Sequence, residues 1–492
     1  MLGLRHLVKH SVLLAANLAL AGCNFRDQQE YRVVVIGDSG APFAAHGRLP
    51  LAGQLVHAAT AEGLVTLDGQ GRVSPALADR WIVTDDGQSY IFRLRDGTWP
   101  DGSAISGENA RAAFDQALAD LQHTPLAVDL DAIDEVRAMA GRVLEIRLTR
   151  PMPDFLQLLA QPELGLAHRG RGAGPMAMKR SGGVAVLTPI APEKRGLPAV
   201  PGWADSVHSL RLSGGGGEKA VAAFADGRAD VILGGTFVDL PRTSQSALGK
   251  VKPRFDPISG LFGLAVTHVG GLLADAGQRE AIAMAIDRDA LAAAIALPGW
   301  VPTTRVVPPG TADDSGQVDE RWTNISLADR RAAAAQRIAA WTKQHKAPAT
   351  LRIALPEGPG ADILFDRLTQ DLAAISVSVV RTPENAPADL RLVDTVARYP
   401  RAAWFLDQFN CAGGQSACSP AADAFVARAR AAGDAATATG FYAQAEATLT
   451  QENVFIPLGQ PIRWSLVAGD GAGFAVNRWG LHSLIALAAG EH

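Results

Sequence analysis

The chain has 492 residues, 48% hydrophobic and 20% charged, with 46 Lys+Arg against 50 Asp+Glu for a formal charge of -4. Such apolar content excludes a disordered or fibrous polymer, and the near balance of charge supplies no general attraction to nucleic acid, which is not an expected partner. The length predicts two or three domains, each with a core of its own.

Residues 1–22 read as a signal peptide: Arg5 and Lys9 come first, with no acid, and an apolar run over 11–20 follows. That run is too short to anchor as a spanning helix. The next residues, Leu20-Ala21-Gly22-Cys23, resemble a bacterial lipobox. The resemblance implies that the Cys23 thiol accepts diacylglycerol, that cleavage makes Cys23 the first residue of the mature chain, and that 23–30 is a lipidated tether. The body is then expected on the periplasmic side of the cell envelope, as a lipoprotein held to a membrane by the lipid on Cys23.

A β-rich run over 31–36 leads into Gly37-Asp38-Ser39-Gly40, which superficially resembles the active-site turn of a serine hydrolase. Nucleophilic Ser39 chemistry needs a base and an oriented acid behind it. No C-terminal Asp-x-x-His sequence supplies them, so hydrolysis is only an alternative and no catalytic residue is expected.

Residues 88–94 read as a strand ending at Asp96-Gly97, 108–121 as a helix, and 143–148 and 209–212 as further strands. The glycine run 214–217 matches neither common phosphate-loop pattern and reads as a mobile surface loop. A short helix over 219–225 and a strand at 231–233 follow, then one long helix over 281–297 stopped by Pro298 and Gly299. Extended runs at 351–354, 376–380 and 390–393 alternate with helix-like sequence near 363–375. Two helices are expected over 422–431 and 436–449, before Pro457, Pro461 and Gly469 interrupt the chain.

Several of these segments resemble one family. Leu77-Ala78-Asp79-Arg80-Trp81, then 86–97 from Asp86-Gly87 to Asp96-Gly97, with Trp99, Asp101-Gly102 and Ser106, resemble solute-binding family 5 of peptide and nickel importers. Residues 279–288, the segment 306–310, Phe441-Tyr442, Ala445-Glu446 and Ile456-Pro457-Leu458 continue the pattern, so that the resemblance covers roughly residues 50–470. Within it, Tyr90, Phe92 and Leu94 fall on one strand face and Asp96-Gly97 suits a turn.

The resemblance implies an α/β, two-lobed periplasmic-binding-protein fold, type II and cluster C-like, with an extra subdomain inserted in lobe one. Lobe one would span 31–261, with the insertion near 60–165; lobe two would span 262–458; and 459–492 would return to lobe one. It also implies a non-enzymatic, substrate-binding subunit of an ABC importer, closing by a hinge on a short peptide or related polar organic solute. Its partners would be the importer's permease and, indirectly, its ATPase. A surface lipoprotein that holds peptides without coupling to transport is the alternative that keeps the same fold.

In peptide-binding relatives an acid ahead of a Phe/Asn/Cys-like stretch receives the peptide amino group. Here Phe409-Asn410-Cys411 marks the stretch, and counting back places Ala397 where the acid would stand. Asp394 recovers that role if the preceding loop differs in length, and is otherwise a turn residue at a strand end. Trp404, Phe405 and Phe409 could line an apolar pocket, with the Trp404 indole as a donor, or simply pack between lobes. Arg398 or Arg401 could meet a ligand carboxylate, or stay on a solvated face. The expected ligand-binding residues are therefore Asp394, Arg398, Trp404, Phe409 and Asn410.

Cys411 and Cys418 enclose a flexible six-residue stretch, 412–417, and are expected to form a disulfide in an oxidising envelope. Neither they nor the isolated histidines, such as His46, His57, His123 and His168, have the spacing of a metal cage, so no metal and no cofactor is expected.

Overall fold

A computed structural model describes residues 30–244, 248–414, 416–471 and 473–489. The signal peptide and the Cys23 lipidation site lie outside the described residues.

The architecture is a two-lobed α/β fold built on two large mixed sheets. The seven-stranded sheet runs in the order Met176–Ser181, Val184–Pro189, Leu210–Gly215, Tyr31–Ile36, Val231–Gly235, Trp464–Val467, Arg254–Phe255. Its central strand, Tyr31–Ile36, pairs in parallel with both neighbours, and Val33 and Val35 are buried. Continuous apolar sequence is what a strand covered on both faces requires.

The five-stranded sheet has the order Ser378–Pro383, Thr350–Leu355, Leu390–Val396, Gly260–Val266, Phe455–Gly459. Every residue of Gly260–Val266 is buried. A four-stranded antiparallel sheet, in the order Ala78–Val83, Ser89–Leu94, Val143–Leu148, Ile133–Ala138, carries a core of its own around Phe92, Trp99, Phe114 and Phe155. On its second strand Tyr90, Phe92 and Leu94 are the buried alternate residues, as period-two patterning demands. The helix Gly107–Leu121 packs beside this sheet and starts at a reciprocal cap, the Ser106 side chain accepting from the Asn109 N–H and the Asn109 side chain from the Ser106 N–H.

Two local expectations are corrected. The long helix expected over 281–297 is two helices, Ala276–Ala285 and Arg288–Ile295. Ile286 is extended, the Asp287 N–H donates to Asp371 Oδ2 at 3.0 Å, and the Asp287 side chain caps the second helix at Ala290 N. Asp287 is a capping residue type, but the alanine-rich run around it masks the break, because the acceptor that holds its N–H lies 84 residues away. The glycine run is not a surface loop: Gly214 and Gly215 finish a strand paired with Val35 and Ile36, and Gly217 begins the helix Gly217–Ala225. An added Cβ at Gly214 would collide with the Asp38 carbonyl, and one at Gly217 with the Asp239 carboxylate. Close approach, not mobility, is what these glycines supply.

Candidate functional site

The chain leaves the seven-stranded sheet at Phe255 and enters the five-stranded sheet at Gly260; it leaves the latter at Gly459 and rejoins the former at Trp464. The two connections touch: the Asp256 N–H donates to Arg463 O at 3.0 Å. Beside them opens a cavity of about 450 Å³, lined by Pro257, Ser259 and Gln460 from the connections. Its remaining walls are 308–312, Ala397 and Pro400 from the five-stranded lobe, and Arg478 and Trp479 from the C-terminal segment. Its volume lies within the ~300–1,000 Å³ of typical small-molecule sites.

The proline-rich wall is held from behind. Arg305 donates to Asp314 at 2.8 Å and to Glu446 at 2.8 Å, and Glu446 Oε1 also accepts the Val307 N–H at 3.1 Å. Asp314 Oδ2 accepts the Gly310 N–H at 3.2 Å. Burial disfavours the Arg305 charge, but these two carboxylates outweigh it and raise its pKa. Two segments of the family resemblance, 306–310 and Ala445-Glu446, thus meet in one buried network that shapes the cavity.

Arg478 is presented by a pinned turn. Asn477 and Trp479, its neighbours, are buried: Asn477 N–H donates to Asp256 Oδ1, Trp479 N–H to Asn477 Oδ1, and the Trp479 indole to Gly71 O at 2.7 Å. Arg478 itself is exposed, its guanidinium 5.9 Å from the Trp479 ring.

None of the five expected ligand residues lines this cavity. Asp394 accepts from Arg463 Nη1 at 2.8 Å. Arg398 donates from Nε to Asp129 Oδ2 at 2.6 Å and from Nη2 to Pro125 O at 3.2 Å. Trp404 and Phe409 are buried in the large core, Phe409 against Phe455, and the Trp404 indole N–H has no hydrogen-bond partner among the described residues. Asn410 caps a short turn, accepting from Ala412 N at 2.7 Å. Arg401 is held by Asp154 and by Asp313 at 2.9 Å; burial opposes its charge, but both carboxylates favour it and its pKa is raised.

Ala397, where the resemblance would have put an acid, does line the cavity. Sequence reading also marked the 306–310 segment, and set the first lobe boundary at 261–262, next to the first connection. It missed Gln460 and Arg478, whose only local signal is a polar residue beside Pro461 and a cation between Asn477 and Trp479. Ser39 is exposed, and among the described residues no histidine is hydrogen-bonded to it. Cys411 and Cys418 form the expected disulfide, Cα to Cα 5.0 Å. The described residues hold no group of three or more His, Cys, Asp or Glu side chains arranged to bind a metal ion.

Residues 72–190 match the family described as bacterial extracellular solute-binding proteins, family 5 middle. A probable deoxycholate-binding periplasmic protein, YgiS, of Escherichia coli K12 is 34% identical over 122 residues, which are 21% of this chain and 23% of that protein. A probable di/tripeptide-binding protein 5 of Pseudomonas aeruginosa is 24% identical over 475 residues, covering 85% of this chain and 87% of that one. The chain thus spans about a quarter of the first curated relative and most of the second. Among solved structures, the murein tripeptide binding protein MppA of Escherichia coli superposes with a TM-score of 0.79 at 17% identity, over 94% of this chain and 98% of that one.

Proposed function

We propose, for a chain whose residues 72–190 match the bacterial extracellular solute-binding proteins of family 5, that it is a member of that family and the substrate-binding subunit of an ABC importer. It captures a short peptide or related polar organic solute between its lobes, on the periplasmic side of the envelope, and hands it on unchanged. The observation that carries this reading is the ~450 Å³ cavity at the point where both connections cross between the two large sheets. A site so placed changes shape when the lobes rotate, which is how a ligand biases a hinged body toward closure.

In this reading lobe one comprises 31–261, with an insertion near 60–165, and 459–492; lobe two comprises 262–458. The hinge is the pair of connections joined by Asp256 and Arg463. Ligand contacts come from Ser259, Gln460, Arg478 and the 308–312 wall. Asp394, Arg398, Trp404, Phe409 and Asn410 act behind that wall, through the pairs and packing described above. Lipid on Cys23 keeps the body near the importer's permease, whose ATPase supplies the energy.

The experiment is calorimetric titration of the purified protein with the solutes recovered from it by mass spectrometry, together with uptake in cells lacking the importer genes. Saturable binding without turnover, and loss of uptake in the deletion, are expected. Uptake of the bound solute that is indifferent to the importer sinks the transport reading.

A further inference from the structure

The ionisable lining of the cavity is one-sided. Among the described residues its only charged side chain is the Arg478 guanidinium, and none of them contributes an Asp or Glu to its wall. The carboxylates adjoining the other wall segments are occupied by the protein itself: Asp313 by Arg401, Asp314 by Arg305, Asp394 by Arg463, and Asp256 by His482 and the Asn477 N–H. Arg478, by contrast, has no carboxylate within ion-pair distance among the described residues. Its flanking residues are buried and hydrogen-bonded, so the backbone that carries it is already ordered, and part of the entropic cost of seating an anion is met before binding. The other polar side chains of the wall, Ser259, Thr311 and Gln460, are neutral, and its four prolines offer no N–H.

We propose that the ligand is a small organic anion, carrying a carboxylate or a comparable oxyanion that Arg478 engages in a two-point hydrogen-bonded pair, and bearing no ammonium group inside the cavity. Guanidinium and carboxylate match in planarity and spacing, so the pair adds orientation to charge. An ammonium in the same cavity would find no acid and would face a like charge. This ligand class rests on the cleft reading above.

The test uses the full mature protein and a thermal-shift panel of matched probes: small organic acids, their amides, and the corresponding primary amines, with N-acetylated, C-amidated and unmodified tripeptides. Organic acids or N-acetyl peptides are expected to raise the melting temperature. Arg478→Gln should weaken their binding at least tenfold while leaving the unliganded melting temperature unchanged, since the side chain is exposed. The proposal is overturned if amines or C-amidated peptides bind as well as acids, if no acid binds, or if acid binding survives Arg478→Gln. Ala312→Trp, at an exposed position of the same wall, separates this failure from failure of the cleft itself. Loss of all binding in Ala312→Trp upholds the site whichever ligand class wins, whereas binding that persists there places the ligand elsewhere and removes both readings.

Discussion

Arg398 donates to Asp129 across 269 residues of sequence, joining the five-stranded lobe to the body that carries the four-stranded sheet. Asp129 is buried and its pKa is raised, first by loss of solvent and in spite of Arg398. Arg401 makes a parallel link to Asp154. The two arginines flank Pro400, a cavity residue, so the wall of the site is braced against the neighbouring body on both sides.

Removing one partner of such a pair leaves the other charge buried and uncompensated. Arg398→Ala is expected to lower the unfolding free energy by about 3 kcal/mol, read from urea melts. Adding Asp129→Asn to it should recover a large part of the loss. No recovery in the double variant would mean that the guanidinium matters for packing and not for charge.

Asp407 gives stability a pH dependence. Burial raises its pKa to about 7, with Asp129 and Asp131 adding to the rise and Arg430, at 2.5 Å, opposing it. The folded state therefore holds a proton on Asp407 more tightly than the unfolded chain does. Its contribution to stability is fully present below the unfolded value near ~4 and is lost as pH rises through about 7. Asp407→Asn should flatten the fall in melting temperature across that window. An unchanged profile would show that another group carries the titration.

Glu446 holds the cavity wall through Arg305 and the Val307 N–H. Glu446→Gln keeps the shape but weakens both bonds, and is expected to cost about 1–3 kcal/mol of stability and to lower ligand affinity as 308–310 loosens. Denaturant melts and titration calorimetry read the two effects. Reduced stability with unaltered affinity would deny the network its positioning role.

The Cys411–Cys418 bond closes a short loop, with a sequence separation of 7, next to the helix Pro420–Arg430. Loop-closure entropy for that length amounts to roughly 2–3 kcal/mol. The double Cys→Ser variant, or the protein in reductant, should melt correspondingly earlier. Equal melting temperatures with and without reductant would show that the loop is held by its other contacts, such as the Cys411 N–H bond to Asp423.

Local physics was legible in the amino-acid order. Alternation at Tyr90, Phe92 and Leu94 specified a strand and its buried face, because side-chain direction along a strand depends only on position parity, and the β-rich run at Tyr31–Ile36 specified a strand. The paired half-cystines needed only a short flexible loop between them. The partners of the charged residues were a different matter. Asp394 looks the same in sequence whether it faces a ligand or Arg463, 69 residues on, and Arg398 the same whether it meets a ligand or Asp129. Only folding decided which carboxylates were neutralised internally and which guanidinium was left facing the cavity, because ion pairing is chosen by proximity in space and carries no periodic trace along the chain.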